Sequence, residues 1–197
     1  RKNIRQISTF LSENNFRAFY YRKRKVRKIM ATAVYPGSFD PITYGHLDII
    51  RRASEVFDKV VVGVLKNQTK TPLFDFEERV DMIREVVKDY PNVEVVSFQG
   101  LLIEFTKKMH ADVIVRGIRA VSDFEYELMM AQTNKQLHPD VETMFFATSA
   151  KYSFLSSSTV RELAMFDGDI SPFVPNYVRE KVYEKIGEHR STEVGGK

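Results

Sequence analysis

Short apolar runs alternate with segments of helical periodicity along residues 30–197. Five runs predict buried strands, at residues 31–35, 59–65, 93–98, 112–116 and 141–147. Helical spacing predicts helices from His46 to Phe57, from Asp75 to the turn at Pro91, and at residues 101–110, 123–137, 158–166 and 176–189. Strands that are apolar throughout need cover on both faces. The pattern therefore predicts an α/β fold, a doubly wound five-stranded parallel sheet with helices on both faces.

Three of the predicted helices begin with capping signals. Thr43 is a candidate N-cap, which would place Gly45 and His46 in the first helical turn. Asp75 with Glu78, and Thr159 with Glu162, each have the spacing of a capping box.

The first 29 residues differ in charge from the rest of the chain. They carry ten Lys or Arg and one acidic residue, whereas residues 30–197 carry 20 basic and 25 acidic residues. We interpret residues 1–29 as a basic N-terminal extension outside the native domain, and residues 30–197 as a single domain. A targeting peptide and a surface-seeking amphipathic helix are the alternatives for the extension.

Composition excludes several classes of protein and site. The absence of cysteine excludes disulfide scaffolds, thiol chemistry and Cys-ligated metals. The mildly acidic balance of residues 30–197 argues against a nucleic-acid partner. No apolar run approaches the roughly 20 residues of a membrane helix, so we expect no membrane partner.

The segments that follow the predicted strands carry polar and cationic side chains. Ser38 follows the first strand, Lys70 lies after the second, Arg116 ends the fourth and three serines follow the fifth. Ligands of such sheets bind beyond the carboxyl ends of the strands. Free N–H groups at helix starts favour anions there, and His46 can donate to a phosphate oxygen. These residues together predict a pocket for a ligand that carries several phosphates.

Alternatives remain open for each of these residues taken alone. Arg116 ends a buried strand, so either an anionic ligand or an acidic partner must compensate its charge. At such positions His46 and Lys70 are equally consistent with ordinary surface residues, and helix capping alone explains one or two of the serines. Neither the P-loop pattern nor the dinucleotide fingerprint G-x-G-x-x-G occurs in the chain.

Three motifs give the chain a family resemblance. They are YPGSFDPITYGH at residues 35–46, RGIRAVSDFEYE at 116–127 and YSFLSSS at 152–158. From Met30 to about Gly187 the chain resembles bacterial phosphopantetheine adenylyltransferases. The first and last motifs are shared by the wider nucleotidyltransferase superfamily, and the middle motif is the more specific to this family.

The resemblance implies a Rossmann-like nucleotidyltransferase fold and a cytoplasmic enzyme of coenzyme A biosynthesis. Its reaction would transfer AMP from ATP to 4′-phosphopantetheine, giving dephospho-CoA and pyrophosphate, with coenzyme A as an inhibitor. The cofactor would be Mg²⁺ carried by ATP, without protein metal ligands, and the assembly a homohexamer. The nucleophile would be a phosphate dianion, so catalysis would need positioning and charge stabilisation rather than a general base.

The resemblance also assigns roles to individual residues. Ser38, Lys70 and Arg116 would bind the acceptor phosphate, and Leu102 would lie along the pantetheine arm. The catalytic set would be Ser38, His46, Lys70 and Arg119. The ATP-binding positions would be Ser38, Phe39, His46, Gly117, Ile118, Arg119, Glu127, Tyr152, Ser153, Phe154, Leu155, Ser156, Ser157 and Ser158. Two departures are small: Ser38 stands where the family often has Thr, and Tyr152 where some members have Trp.

Other functions remain alternatives at this stage. Another small-molecule nucleotidyltransferase, acting on nicotinate or nicotinamide mononucleotide, would share the first and last motifs but should lack residues 116–127 as written. An RNA- or membrane-binding module acting through the basic extension is an alternative from a different class.

Overall fold

A single parallel sheet forms the centre of the computed structural model, which describes residues 29–66 and 72–194. Its strand order is β3-β2-β1-β4-β5, and every pair of neighbours is parallel. The strands are β1 (Ile29–Gly37), β2 (Phe57–Leu65), β3 (Val93–Phe98), β4 (Val113–Ile118) and β5 (Glu142–Ala147). The first strand along the chain therefore lies in the middle of the sheet.

Helices cover both faces of this sheet. They are α1 (Tyr44–Val56), α2 (Phe76–Val87), α3 (Leu102–Lys108), α4 (Val121–Leu137), α5 (Ser157–Met165) and α6 (Asn176–Val194). Alternate residues of β1 point to opposite faces. Ala33 and Tyr35 join the larger core with α1, α2, α5 and α6, whereas Val34 joins a smaller core under α3. The predicted doubly wound α/β fold is confirmed.

The predicted elements all occur, with shifted ends. Strand β1 begins at Ile29 rather than residue 31, and Ile29 pairs with Phe57 of β2. The last residue assigned to the N-terminal extension thus belongs to the sheet, while residues 1–28 lie outside the described part of the chain. Helix α6 continues past the predicted end at residue 189 to Val194. None of the helices within residues 29–66 and 72–194 is long and apolar enough to span a membrane.

Candidate active site

A cavity of about 510 Å³ opens at the carboxyl edge of the sheet. Strand β1 is followed along the chain by β2 on one side, whereas β4 lies on its other side. Connections from such neighbouring strands run in opposite directions, which leaves a crevice between them. Residues from the ends of β1 and β4 and from the start of α1 line the cavity.

Many of the predicted site residues line this cavity. They are Phe39, His46, Arg116, Gly117, Arg119, Glu127, Tyr152, Leu155, Ser156, Ser157 and Ser158. Ser38, Leu102, Ile118, Ser153 and Phe154 do not line it, and Lys70 lies outside the described residues. Ser38 is exposed, and Leu102 packs against the apolar clusters under α3. The roles assigned to all of these residues stay predictions.

Thr43 and His46 cap helix α1 together. The Thr43 N–H donates to Nδ1 of His46 at 3.1 Å, and the His46 N–H donates to Oγ1 of Thr43 at 3.5 Å. Because Nδ1 accepts this bond, the proton of the neutral ring is on Nε2. The predicted cap at Thr43 is confirmed, and it selects the tautomer that donates through Nε2.

The His46 ring is neutral at physiological pH. Its removal from water lowers its pKa from 6.5 to about 4, and the positive charges of Arg119 and then Arg116 act in the same direction. The ring therefore presents an uncharged N–H donor at Nε2 rather than an imidazolium.

Phe39 lies in the turn that leads from β1 to α1. Its side chain is 2% exposed and packs edge-on against the His46 ring, with ring centroids 5.1 Å apart. The turn needs a positive φ of 49° at Phe39. A Cβ on Gly37 would lie 2.7 Å from the Phe39 ring, so only glycine fits beside it.

The three consecutive serines at the start of α5 have separate partners. Ser156 is the N-cap, and its Oγ accepts from the Thr159 N–H at 3.1 Å. The predicted cap at Thr159 is therefore wrong, because the helix begins one turn earlier than that cap requires. Ser157 donates its hydroxyl to the Pro41 carbonyl at 2.7 Å, and the Ser158 hydroxyl lies 3.4 Å from a guanidinium nitrogen of Arg161.

Arg116 and Glu127 form a two-point ion pair at the cavity wall. Nε of Arg116 donates to Glu127 at 2.6 Å, a second guanidinium nitrogen donates to the other carboxylate oxygen, and Nη1 donates to the Pro36 carbonyl at 3.0 Å. Burial lowers the pKa of Arg116, but bonding to Glu127 outweighs this and raises it. The acidic partner that the sequence left open is thus Glu127.

Arg119 is held at the start of α4. Its guanidinium donates to Asp123 through Nε at 3.0 Å and Nη2 at 3.3 Å, and to the Leu155 carbonyl through Nη1 at 3.2 Å. The bonds from Arg119 hold the pKa of Asp123 below its usual value. Arg119 thereby joins the end of β4 to the segment before α5.

Asp40 links three segments behind the cavity. It is 7% exposed and accepts from the N–H groups of Leu73 and Phe74, each at 3.0 Å. Arg161 of α5 donates to the same carboxylate at 3.1 Å and also to the Asp40 carbonyl. Asp40 therefore fixes the positions of the segment after β2 and of the start of α5.

Known proteins match the chain over most of its length. A family model described as cytidylyltransferase-like matches residues 34–163. A phosphopantetheine adenylyltransferase of Lachnoclostridium phytofermentans is 54% identical over 82% of this chain and 99% of the relative. One of Clostridium tetani is 59% identical over 79% of this chain and 98% of the relative.

The chain belongs to the phosphopantetheine adenylyltransferase family. A solved structure of nicotinic acid mononucleotide adenylyltransferase from Plasmodium falciparum shares the fold, with a TM-score of 0.59 and 15% identity. The match covers 82% of this chain and 96% of the Plasmodium chain. At that identity the likeness concerns the fold alone.

The cavity of this family member includes residues that sequence reasoning did not select. Tyr35, Ile49 and Thr148 line it. Tyr35 is 6% exposed, and burial raises its pKa while the charge of Arg116 opposes that change. The position of Tyr35 at the end of the first predicted strand indicated that it could lie near the site. An apolar strand pattern does not show which of its residues faces the crevice.

Acidic side chains of the cavity are already committed to arginines. Asp123 pairs with Arg119 and Glu127 with Arg116. Within the described residues, no three His, Asp or Glu side chains group closely enough to hold a metal ion.

The depressed pKa of His46 predicts a pH dependence of stability. The unfolded chain binds a proton near pH 6.5 and the folded protein only near pH 4, so the free energy of unfolding falls as the pH decreases between these values. His46→Gln is the matched reference because Gln at this position can accept from the Thr43 N–H without titrating.

We expect the wild type to lose stability relative to His46→Gln as the pH falls from 6.5 to 4. Above about pH 7 the difference should be constant. Urea denaturation at a series of pH values measures it. A difference that does not change across this window would show that the ring titrates alike in both states.

Proposed function

We propose that this chain transfers AMP from ATP to 4′-phosphopantetheine, giving dephospho-CoA and pyrophosphate, a late step of coenzyme A biosynthesis. Identity of 54–59% to relatives named phosphopantetheine adenylyltransferase, over nearly their whole length, carries the proposal. The likeness to a nicotinic acid mononucleotide adenylyltransferase is at 15% identity, and that alternative is not favoured.

In the proposed reaction an oxygen of the acceptor phosphate attacks the α-phosphorus of ATP. The bond from that phosphorus to the oxygen bridging to the β-phosphate breaks, and pyrophosphate leaves. The acceptor phosphate is dianionic near neutral pH, so no proton has to be removed from it. This agrees with His46, whose Nδ1 lone pair is already bonded to Thr43. The residues are proposed to orient the two phosphates and to stabilise negative charge.

Each predicted site residue has a proposed part in this reaction. His46 donates through Nε2 to the ATP phosphates, and Arg119 adds positive charge on the same side. Ser38, Lys70 and Arg116 hold the acceptor phosphate, and Leu102 lies along the pantetheine arm. The start of α5, with Ser156, Ser157 and Ser158, presents N–H groups and hydroxyls to ATP. Phe39, Gly117, Ile118, Glu127, Tyr152, Ser153, Phe154 and Leu155 complete the proposed ATP subsite.

The proposed cofactor is Mg²⁺ bound to ATP. Asp123 and Glu127 are tied to arginines, so phosphate oxygens and water are its expected ligands rather than a carboxylate cage. The ion would screen the negative charge of the phosphates. Coenzyme A differs from the proposed product by one phosphate, so it is expected to compete for the cavity as an inhibitor. Since ATP and this pathway are cytoplasmic, we propose that location, with no nucleic-acid or membrane partner.

A homohexamer is the proposed assembly. Helix α4 carries apolar side chains in solvent: Val121 is 79%, Met129 54% and Leu137 56% exposed. Met144 on the edge strand β5 is 37% exposed beside them. Apolar surface of this kind is typical of a protein interface, and a second copy of the chain is the proposed occupant.

The reaction predicts a defined substrate preference. Pyrophosphate release should require ATP, Mg²⁺ and 4′-phosphopantetheine together. Nicotinate and nicotinamide mononucleotides, supplied in place of phosphopantetheine, should give only background release. A coupled phosphate assay with pyrophosphatase measures both. Release with a mononucleotide and none with phosphopantetheine would overturn the proposed substrate.

Substitution of His46 separates its two functions. His46→Ala should lower kcat by roughly 100- to 1,000-fold, since one donor to the reacting phosphates is lost. His46→Gln should restore the helix cap and the thermal stability, because Gln at this position completes a capping box. Its kcat should stay as low as that of the Ala variant, because the capping amide no longer reaches the phosphates. Full activity in either variant would remove His46 from the catalytic set.

The assembly is tested by light scattering after size-exclusion chromatography. The wild type should have six times the mass of one chain, and Met129→Glu should give smaller species because it places a charge in the α4 surface. Phe166→Glu is the matched control, since Phe166 is 82% exposed outside α4 and β5. A wild-type mass below that of six chains would contradict the hexamer.

A further inference from the structure

Arg79 of α2 is a buried cation that pairs with no carboxylate of the described residues. It is 4% exposed, and it forms no ion pair with any carboxylate among residues 29–66 and 72–194. Within the part of the chain that the structure describes, its guanidinium donates to carbonyl oxygens alone: Nε to Asp75 at 3.1 Å, and Nη1 to Ser38 at 2.9 Å and to Leu65 at 3.5 Å. Because these bonding partners are neutral carbonyl dipoles, no opposite charge is paired with the guanidinium in the protein interior, which is costly for a buried cation.

The other arginines at this edge of the sheet are compensated. Arg116 pairs with Glu127, Arg119 with Asp123 and Arg161 with Asp40. Arg79 differs from these three arginines because no described carboxylate pairs with it, although it is more deeply buried than they are. An anion that binds nearby would supply the missing negative charge.

Arg79 donates to carbonyl groups at the ends of two neighbouring strands. Leu65 ends β2, and Ser38 directly follows Gly37, the last residue of β1. Gly37 pairs with Val64, so the two carbonyls lie at the same carboxyl edge. Phe76 stacks beside the guanidinium, at 5.6 Å, and restricts its movement. Arg79 thus joins two neighbouring strand ends at the point where Ser38 begins the turn into α1.

We propose that Arg79 is a positioning residue for the acceptor phosphate of the proposed reaction. It fixes the Ser38 main chain by its bond to the carbonyl, and its uncompensated charge attracts the dianionic phosphate to the β1–β2 side of the cavity. The inference rests on the proposed function, since it assigns Arg79 to the 4′-phosphate of phosphopantetheine rather than to ATP. Arg79 acts through Ser38 and the local field and does not line the cavity itself.

A purely structural Arg79 makes a different prediction. If it only holds α2 against the sheet, its loss should weaken every ligand of the cavity alike and lower the melting temperature. If Arg79 positions the phosphate, its replacement should weaken the binding of those ligands that carry this phosphate. Pantetheine, which lacks the phosphate, and ATP are therefore the discriminating ligands.

The test compares Arg79→Met and Arg79→Lys with Arg84→Met in the full chain. Arg84 is the matched control, because it lies in the same helix, is exposed and pairs with Asp81. Arg79→Met should raise the KM for phosphopantetheine and its calorimetric Kd about tenfold, equivalent to roughly 1.4 kcal/mol. The affinities for ATP and pantetheine should change less than about twofold. Arg79→Lys, which keeps the charge, should lie between, and Arg84→Met should match the wild type.

The opposing results are distinct. Equal losses for phosphopantetheine, pantetheine and ATP, or no loss at all, would overturn the role of Arg79 while the wild type remained active. A wild type that does not use phosphopantetheine would overturn the proposed function and this inference with it. If Arg79→Met does not fold, Arg79→Gln, which removes the charge but keeps an amide donor for the Ser38 carbonyl, takes its place in the same comparison.

Discussion

The buried carboxylate of Asp40 holds together the edge of the sheet at which the cavity opens. It accepts from two main-chain N–H groups after β2 and from Arg161 of α5, which follows β5. Strands β2 and β5 are separated in the sheet by β1 and β4, so no ladder joins them directly. The segment after the central strand β1 lies between them and makes bonds to both sides. Asp40 occupies that place, and the relative position of the two sides of the cavity depends on it.

At the start of α1, a single hydrogen bond both caps the helix and orients the His46 ring. The bond that Thr43 donates to Nδ1 of His46 satisfies a free N–H at the helix terminus. It also fixes the ring orientation and leaves the proton on Nε2. Burial, and then the positive charges of Arg119 and Arg116, lower the pKa of the ring and keep it neutral. A side chain that caps the helix is therefore oriented as a hydrogen-bond donor before any ligand binds, which lowers the cost of ordering it later.

Sequence pattern predicted the parts of the molecule that depend on local physics. Apolar runs located all five strands, and the caps at Thr43 and Asp75 were readable because their partners lie three residues away. Pairings between distant residues were not readable. Arg116 required an anion, but its choice of Glu127 depends on how α4 packs on β4. The bonds of Asp40 join residues more than 30 positions apart, and so does the bond from Arg79 to the Ser38 carbonyl. The capping residue of α5 was misplaced at Thr159, because Ser156 and Thr159 both fit the local pattern and the structure selects Ser156.

Ion pairing in the cavity leaves its arginines able to bind phosphate. A guanidinium has five N–H donors in a planar fork. Arg116 uses three of them on Glu127 and Pro36, and Arg119 uses three on Asp123 and Leu155. Two donors of each therefore have no partner among the described residues and are available to a ligand, while the three bonds to the protein fix the plane of the fork. The carboxylates thus orient the arginines, but they also cancel part of the positive charge at the cavity. Electrostatic attraction of a second phosphate therefore depends on cations that lack such partners.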